Sequence, residues 1–350
     1  MAQRVAVIGS GSWGTTFAAL VCASGPAALW ARRPELAAEV ATSHTNGAYL
    51  PGVTLPSELT ATASLERAVE GADVVAMAVP SHGFRAVLEA AASAVAPGVA
   101  VVSLTKGLEE GTRKRMTEVA AEALPGHPVG ALTGPNLSRE VLLGHPAASV
   151  LAMAEEAVAL ELRVRFSTPS FRVYTNPDVV GCEVAGAFKN VMAIAAGMSD
   201  GMGFGDNARA AIITRSLAEL TRLGVAMGGD PLTFSGLAGM GDLVATCSSA
   251  QSRNHHVGEE LGRGRPLEEI VAEMSMVAEG VKTSRVVCEI ARDLGVEVPI
   301  AEQVEAVCHR GRSAVSAVAA LMQRQPRHEL YGMGEAMAFV PAGPGSPRPA

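Results

Sequence analysis

Residues 4–22 read RVAVIGSGSWGTTFAALVC, and this stretch decides the fold. Arg4 to Ile8 form a short apolar run, as a strand buried in a parallel sheet requires. Gly9, Gly11 and Gly14 follow in G-x-G-x-x-G spacing and lead into a helix of small residues. The order has a mechanical reason. Gly9 allows the tight turn, Gly11 lets a pyrophosphate approach the backbone, Gly14 lets helix and strand pack closely, and the helix N-terminus faces the phosphates. Alone the spacing is weak evidence; between a strand and a helix it is a strong sign of dinucleotide binding, set against the bland alternative of a glycine-rich turn with no ligand. Ser12 and Trp13 are expected to lie inside the turn and to touch the cofactor.

The second strand, AALW, ends at Trp30. A site for NAD usually carries an acidic residue just beyond, for the ribose hydroxyls; this chain has Arg32 and Arg33. Two guanidinium groups suit the 2′-phosphate of NADPH, with NADH left open and a solvated basic strand end as the plain reading. Further strands follow in ADVVAMAVPS, VAVVSLTKG and VGALTGPN. Ligands of open parallel sheets gather beyond the carboxyl ends of the strands. The glycine turn, Pro80, Lys106 and Gly134 to Asn136 should therefore line one crevice.

At 350 residues the chain has room for two domains. A net charge of −7 with no long run of either sign offers no footing for nucleic acid or a membrane surface. The longest apolar stretches are interrupted, by Pro97–Gly98 and by Lys189, and neither reads as a membrane span. The start runs straight into a strand, so no signal peptide is expected. The five cysteines lack C-x-x-C spacing and read as reduced, cytoplasmic thiols with no metal site.

From about Asn176 the pattern turns helical, and a proline- and glycine-rich tail closes the chain. The reading is an α/β Rossmann-type N-terminal domain (1–178) with a mostly parallel sheet, an all-α C-terminal domain (179–330) and a disordered tail (331–350). Within GCEVAGAFKNVMAIAAG, residues 181–197, Lys189 interrupts a run of small and apolar side chains. Of 28 basic residues only Lys106, Lys114, Lys189 and Lys282 are lysine. Arginine stays protonated, whereas an ammonium can give up its proton. Lys189 thus fits proton transfer to a carbonyl, the alternative being a stem that crosses a helix surface to water. Lys114, inside RKR, reads as plain surface. Arg253 and Asn254 could grip a phosphate, or be a helix start and a surface arginine. Asn190, Asp242, Thr246 and Ser252 complete the polar set of this half. Asp206 and Asn207 read as a helix cap, and adjacent His255 and His256 do not have metal-ligand spacing.

The motifs VIGSGSWGT, LWARR, LTKGLE, TGPNLSRE, GAFKNV, GLAGMGDLVATC, SRN and VAEGVKT together resemble the bacterial-type NAD(P)-dependent glycerol-3-phosphate dehydrogenase family, from the first strand to about residue 325. The resemblance implies reduction of dihydroxyacetone phosphate to sn-glycerol 3-phosphate. Ser12, Trp13, Arg32, Arg33 and Ser138 would hold the cofactor, and Lys106 would touch cofactor and substrate. Gly134 and Asn136 would contact substrate, Lys189 would donate and accept the proton, and Asp242 would support it. Ser252, Arg253 and Asn254 would bind glycerol 3-phosphate, with Arg253 also reaching the cofactor, and Val277 and Glu279 would close over it. The pattern departs at Asn136 and Ser138, where relatives often carry a small hydroxyl residue and alanine; backbone amides can carry those contacts. The resemblance also implies a cytoplasmic homodimer supplying the head-group precursor of phospholipids. Two other readings compete: a lysine-dependent 2-hydroxyacid or ketopantoate-type dehydrogenase, which would need a carboxylate anchor, and a redox-sensing module, which would not need Lys106 and Lys189 facing one crevice.

Overall fold

The computed structural model describes residues 3–274, 278–326, 328 and 329. Eight strands form one sheet: β1 Val5–Ile8, β2 Ala27–Trp30, β3 Thr60–Thr62, β4 Val74–Met77, β5 Ala100–Ser103, β6 Val129–Thr133, β7 Ala147–Met153 and β8 Phe171–Asn176. Their order is β3-β2-β1-β4-β5-β6-β7-β8. The first six run parallel; β7 pairs antiparallel with β6, and β8 runs parallel to β7. β1, β2, β4 and β5 are buried at every residue, which is why they read as unbroken apolar runs.

Three strands escape the sequence reading. β3 has only three residues, none fully buried. β7 is rich in alanine, which has no strand preference. β8 is an edge strand with alternating exposure. The sheet's chain direction reverses at β7, and this brings its buried Val150 and Ala152 into the same apolar cluster as the helical half.

The helical half is built around Val179–Gly201, buried continuously from Gly181 to Ser199. Asp178 caps it, its carboxylate accepting from Gly181 N at 2.8 Å. By length and a mean hydropathy of 1.4 it could cross a bilayer, but 83% of that window is buried inside the protein, so it is a core helix. The helix Arg253–Gly262 crosses it at very close range. A Cβ on Gly197 would stand 2.0 Å from the His255 carbonyl oxygen, and one on Gly258 2.1 Å from that of Ile194. Only glycine lets the two backbones approach this far. Asp206–Ala226, Glu279–Asp293, Pro299–Arg310 and Ala314–Met322 pack around this pair.

One local reading is corrected. Asp206 does not cap its helix: Gly205 occupies the cap position, and the exposed Asp206 carboxylate pairs with Arg209 at 2.9 Å in the first turn. The five cysteines are free thiols.

Candidate active site

The glycine turn sits where β1 hands over to the helix Ser12–Cys22. Ser12 and Trp13 belong to the first turn of that helix rather than to the loop, and Gly11 is its N-cap. Gly9 has φ of +121°, and a Cβ there would lie 2.7 Å from the Ala78 carbonyl oxygen. Gly14 packs against Gly9 even more closely, while a Cβ on Gly11 would meet nothing within 4 Å. Open space above Gly11, at a helix N-terminus, is the cradle a pyrophosphate needs. Asn46 holds the turn from outside: its Nδ2 donates to Ser10 O at 3.0 Å and to Thr15 Oγ1 at 2.8 Å. Ser12 Oγ donates to Tyr49 O at 3.1 Å, and the Arg33 guanidinium lies 5.6 Å from the Tyr49 ring centre. Sequence reasoning missed Asn46 and Tyr49, since nothing in a polar loop signals which side chain will turn back onto a distant glycine turn. Arg32 and Arg33 are both exposed beyond β2. Ser138 lies against the same helix, its carbonyl oxygen accepting from Thr16 Oγ1 at 3.2 Å.

Lys106 follows β5, and Gly134 follows β6 with φ of +130°. Lys106 Nζ donates to Gly134 O at 2.8 Å and to Asp242 Oδ2 at 2.5 Å. On the other oxygen of Asp242 lies Lys189 Nζ, 3.0 Å away; Lys189 also donates to Thr246 Oγ1 at 2.6 Å, and Thr246 in turn donates to Asp242 Oδ1 at 3.2 Å. Asp242 and Thr246 stand one turn apart on Asp242–Ser248, so both face Lys189. Lys189 is 6% exposed and Asp242 2%. Lys189 therefore does not reach out to solvent. A Cβ on Gly186 would press on Thr133 Oγ1 at 2.8 Å, so that glycine lets the end of β6 pack on the central helix, where the Lys106 stem also lies, with its Cγ 3.7 Å from the same point.

Two ammonium groups thus share one carboxylate, and the cluster holds an excess positive charge in a water-poor cleft. Burial pushes the Asp242 carboxyl up, but Lys106 and Lys189 outweigh it and hold it below its usual range. Burial pulls Lys106 down to about 8, against the attraction of Asp242 and with the repulsion of Lys189. The two named bonds of Lys189 use two of its three protons, which leaves one for another acceptor.

Beside this cluster, Asn254 Nδ2 donates to Asn190 Oδ1 at 3.0 Å and Asn254 Oδ1 accepts from Gly280 N at 2.9 Å. That chain fixes which way the Asn190 amide points and ties the start of Glu279–Asp293 to the central helix. Ser252 caps the helix that carries Arg253 and Asn254, its hydroxyl accepting from His255 N at 3.2 Å. Burial lowers the Arg253 guanidinium from its usual value, opposed by the nearby Glu279 carboxylate. Glu279 Oε2 accepts from Ser81 Oγ at 3.0 Å, joining the helical half to the carboxyl end of β4. Ser81, adjacent to the Pro80 turn, is a contact that the sequence did not single out. Asn136 Oδ1 accepts from Ser149 Oγ at 2.6 Å, so its side chain is held by β7. Val277 lies outside the described residues. His255 Nε2 lies 2.8 Å from Asp200 Oδ2.

The residues fit a nicotinamide dinucleotide. Besides the space above Gly11, the buried Trp13 Nε1, Thr133 Oγ1 and Asn136 Nδ2 have no hydrogen-bond partner among the described residues. All three belong to the segments that end in the crevice, and donors left unmet there are available to a ligand. An apolar cavity of about 580 Å³, lined by Met198, Phe204, Ile212, Val304 and Leu321, lies elsewhere in the helical half and shares no residue with the Lys189 cluster.

This fold and this site define a two-domain, dinucleotide-dependent dehydrogenase. Residues 4–159 match the family described as NAD-dependent glycerol-3-phosphate dehydrogenase N-terminus, and residues 178–319 its C-terminus. The chain belongs to the NAD-dependent glycerol-3-phosphate dehydrogenase family. It is 54% identical to glycerol-3-phosphate dehydrogenase [NAD(P)+] 2 of Sphingopyxis alaskensis over 95% of this chain and 99% of that one. It is similar in structure to the glycerol-3-phosphate dehydrogenase of Coxiella burnetii, with a TM-score of 0.88 and 35% identity over 92% of this chain and 99% of that one. A ketopantoate reductase from Ralstonia eutropha shares the fold alone, at a TM-score of 0.58 and 16% identity over 90% of this chain and 99% of that one. The protein is an NAD(P)-dependent oxidoreductase.

Proposed function

We propose that the protein reduces dihydroxyacetone phosphate to sn-glycerol 3-phosphate, reversibly, with Lys189 as proton donor and acceptor. The observation that carries this reading is the pair of ammonium groups, Lys189 buried and Lys106 partly so, on the single buried carboxylate of Asp242, at the carboxyl edge of the sheet. When bound, the reduced nicotinamide supplies a hydride. Negative charge then grows on the ketone oxygen, and the third proton of Lys189 is the donor placed to meet it. General acid assistance of this kind is worth about 10²–10⁴-fold in rate. Asp242 and Thr246 hold the Lys189 amine in place, so it need not reorganise as the charge develops. The excess positive charge of the cluster favours an anionic substrate. Arg253 and the amides of Asn190 and Asn254 are the groups assigned to its phosphate. Gly134, Asn136, Thr246 and Ser252 are assigned to the substrate, and the glycine turn, Ser12, Trp13, Ser138 and Glu279 to the cofactor.

Arg32 and Arg33 support a preference for NADPH, because two exposed guanidinium groups follow β2 where a ribose-binding carboxylate would stand. Replacing both with alanine should raise the KM for NADPH more than that for NADH; equal effects would assign them a general electrostatic role. The wider reading is a cytoplasmic homodimer, with units 1–178 and 179–330, that supplies phospholipid synthesis. The deciding assay is NADPH oxidation with dihydroxyacetone phosphate, ketopantoate and small 2-keto acids. Turnover should be confined to the keto-phosphate. Faster turnover of a keto acid would sink the substrate assignment while leaving the family intact.

A further inference from the structure

Lys106 stands at the head of a loop that ends at Arg115, the N-cap of the helix Met116–Ala123. The neck of this loop is closed by a bridge between Leu108 and Arg115 and by Glu109 N donating to Lys114 O at 2.9 Å. Beyond the neck lies a buried carboxylate that the chemistry above does not use. Glu183, 8% exposed, sits on the central helix two turns before Lys189. Its Oε2 accepts from Arg115 Nη1 at 2.8 Å, its Oε1 accepts from Thr117 N at 2.9 Å, and the Thr117 hydroxyl donates to it as well. Leu108, two residues beyond Lys106, lies in the apolar cluster of the helical half, with Val184 and Ala187. Between the two attachments, the Lys106 stem lies against the central helix at Gly186, its Cγ 3.7 Å from where a Cβ would stand.

From this arrangement we infer that Glu183 is a positioning residue: through Arg115 and Thr117 it fixes the Lys106 loop to the helix that carries Lys189, and so sets the Lys106 ammonium against Asp242. A surface fastener would not need a carboxylate bonded on both oxygens and shut away from water. A buried acceptor with three donors holds a loop in one place because each partner is costly to leave unmet in the interior. The two lysines reach Asp242 from opposite halves of the molecule, and the Glu183 contacts are where the loop of one is registered on the helix of the other.

The inference rests on the role given to Lys106 above, so the test carries Lys106→Ala beside Glu183→Gln in the full chain. Glutamine keeps the shape and can still accept from Thr117 N, while the rotatable Thr117 hydroxyl can turn to accept from the new amide. What is lost is the buried charge partner of Arg115 and the bond from its Nη1, while its second partner, Glu118 at 3.1 Å, remains. The expected result for Glu183→Gln is folded protein with wild-type NADPH affinity. Its kcat/KM for dihydroxyacetone phosphate should fall about tenfold or more, since an ångström of misplacement can cost about 10²-fold. The basic limb of its pH profile should move as well. A profile that superimposes on wild type overturns the proposal, and so does a variant that fails to fold, because Glu183 is then a structural fastener and no more. If Lys106→Ala keeps full turnover, the reading of Lys106 itself fails. If Lys106→Ala loses turnover and Glu183→Gln does not, the anchor alone is wrong.

Discussion

A lysine at position 189 is costly among small apolar neighbours, and its surroundings show how the cost is met. One carboxylate and one hydroxyl partner its ammonium, at 3.0 and 2.6 Å. Arginine could keep the charge there but could not readily release a proton. Lys189→Arg should therefore retain NADPH binding and lose about 10²-fold or more of kcat; near-normal turnover would remove Lys189 from the chemistry. Lys106 adds a pH signature. Its folded value of about 8 means that its ammonium is lost as the pH rises through that point. Lys189 and Asp242 are the charged groups that face it, and Asp242 is ionised well below this range. The kcat/KM for dihydroxyacetone phosphate should fall on the alkaline side from about pH 8, and a profile flat to pH 10 would contradict a role for that ammonium. These lysines were legible in the chain because four lysines stand against 24 arginines. Their shared carboxylate was legible only through motif resemblance, since no spacing rule places Asp242 between them. Glu183 carried no signal at all: its three donors come from a segment 66 or more residues upstream.

Among the elements, the crossing of Val179–Gly201 by Arg253–Gly262 controls the site, because one helix bears Lys189 and Asn190 and the other Arg253 and Asn254. Gly197, Gly201, Gly258 and Gly262 set their separation; a Cβ on Gly201 would stand 2.0 Å from the Glu259 carbonyl oxygen, and one on Gly262 2.4 Å from that of Met198. Backbone atoms cannot turn aside as a long side chain can, so the helices would have to move apart. Alanine in place of Gly197 gains about 1 kcal/mol in helix propensity. Forced separation of a packed interface costs about 1–3 kcal/mol or more, and the lost alignment of Asn190 with Asn254 adds to it. Gly197→Ala should lower the melting temperature by several degrees and raise the KM for the phosphorylated substrate. An unchanged melting curve would show that the crossing has slack. Small residues recurring along the central helix announced a close approach, but not which helix would make it.

For the molecule as a whole, stability is coupled to pH through a second buried carboxyl, far from the chemistry. Glu219, 2% exposed, accepts from Ile300 N at 2.9 and 3.1 Å and from Ala301 N at 3.3 Å, at the start of Pro299–Arg310. Burial pushes it up to about 7, opposed by those backbone bonds and by Arg222 and aided by Glu302. The folded protein then holds a proton that the unfolded chain has released between about pH 4.3 and 7, so this group's contribution is present at low pH and lost as the pH rises through about 7. The full span is of the order of 3 kcal/mol. Unfolding free energies of wild type and Glu219→Gln, compared from pH 5 to 8, should diverge in that sense, wild type losing ground to the variant. Parallel curves would place the Glu219 titration at its ordinary value.

Local order was written in the chain. A buried parallel strand needs an unbroken apolar run, a phosphate-binding turn needs glycine at set positions, and a core helix needs small and apolar residues throughout. Each requirement is met by neighbours in sequence and can be read there. The pairing of Lys106 and Lys189 on one carboxylate, the reversal of the sheet at β7, the clasp of Ser81 on Glu279 and the buried contacts of Glu183 join residues tens to hundreds of positions apart. Long-range contacts of this kind depend on how layers pack in three dimensions, and no periodicity along a single chain encodes them.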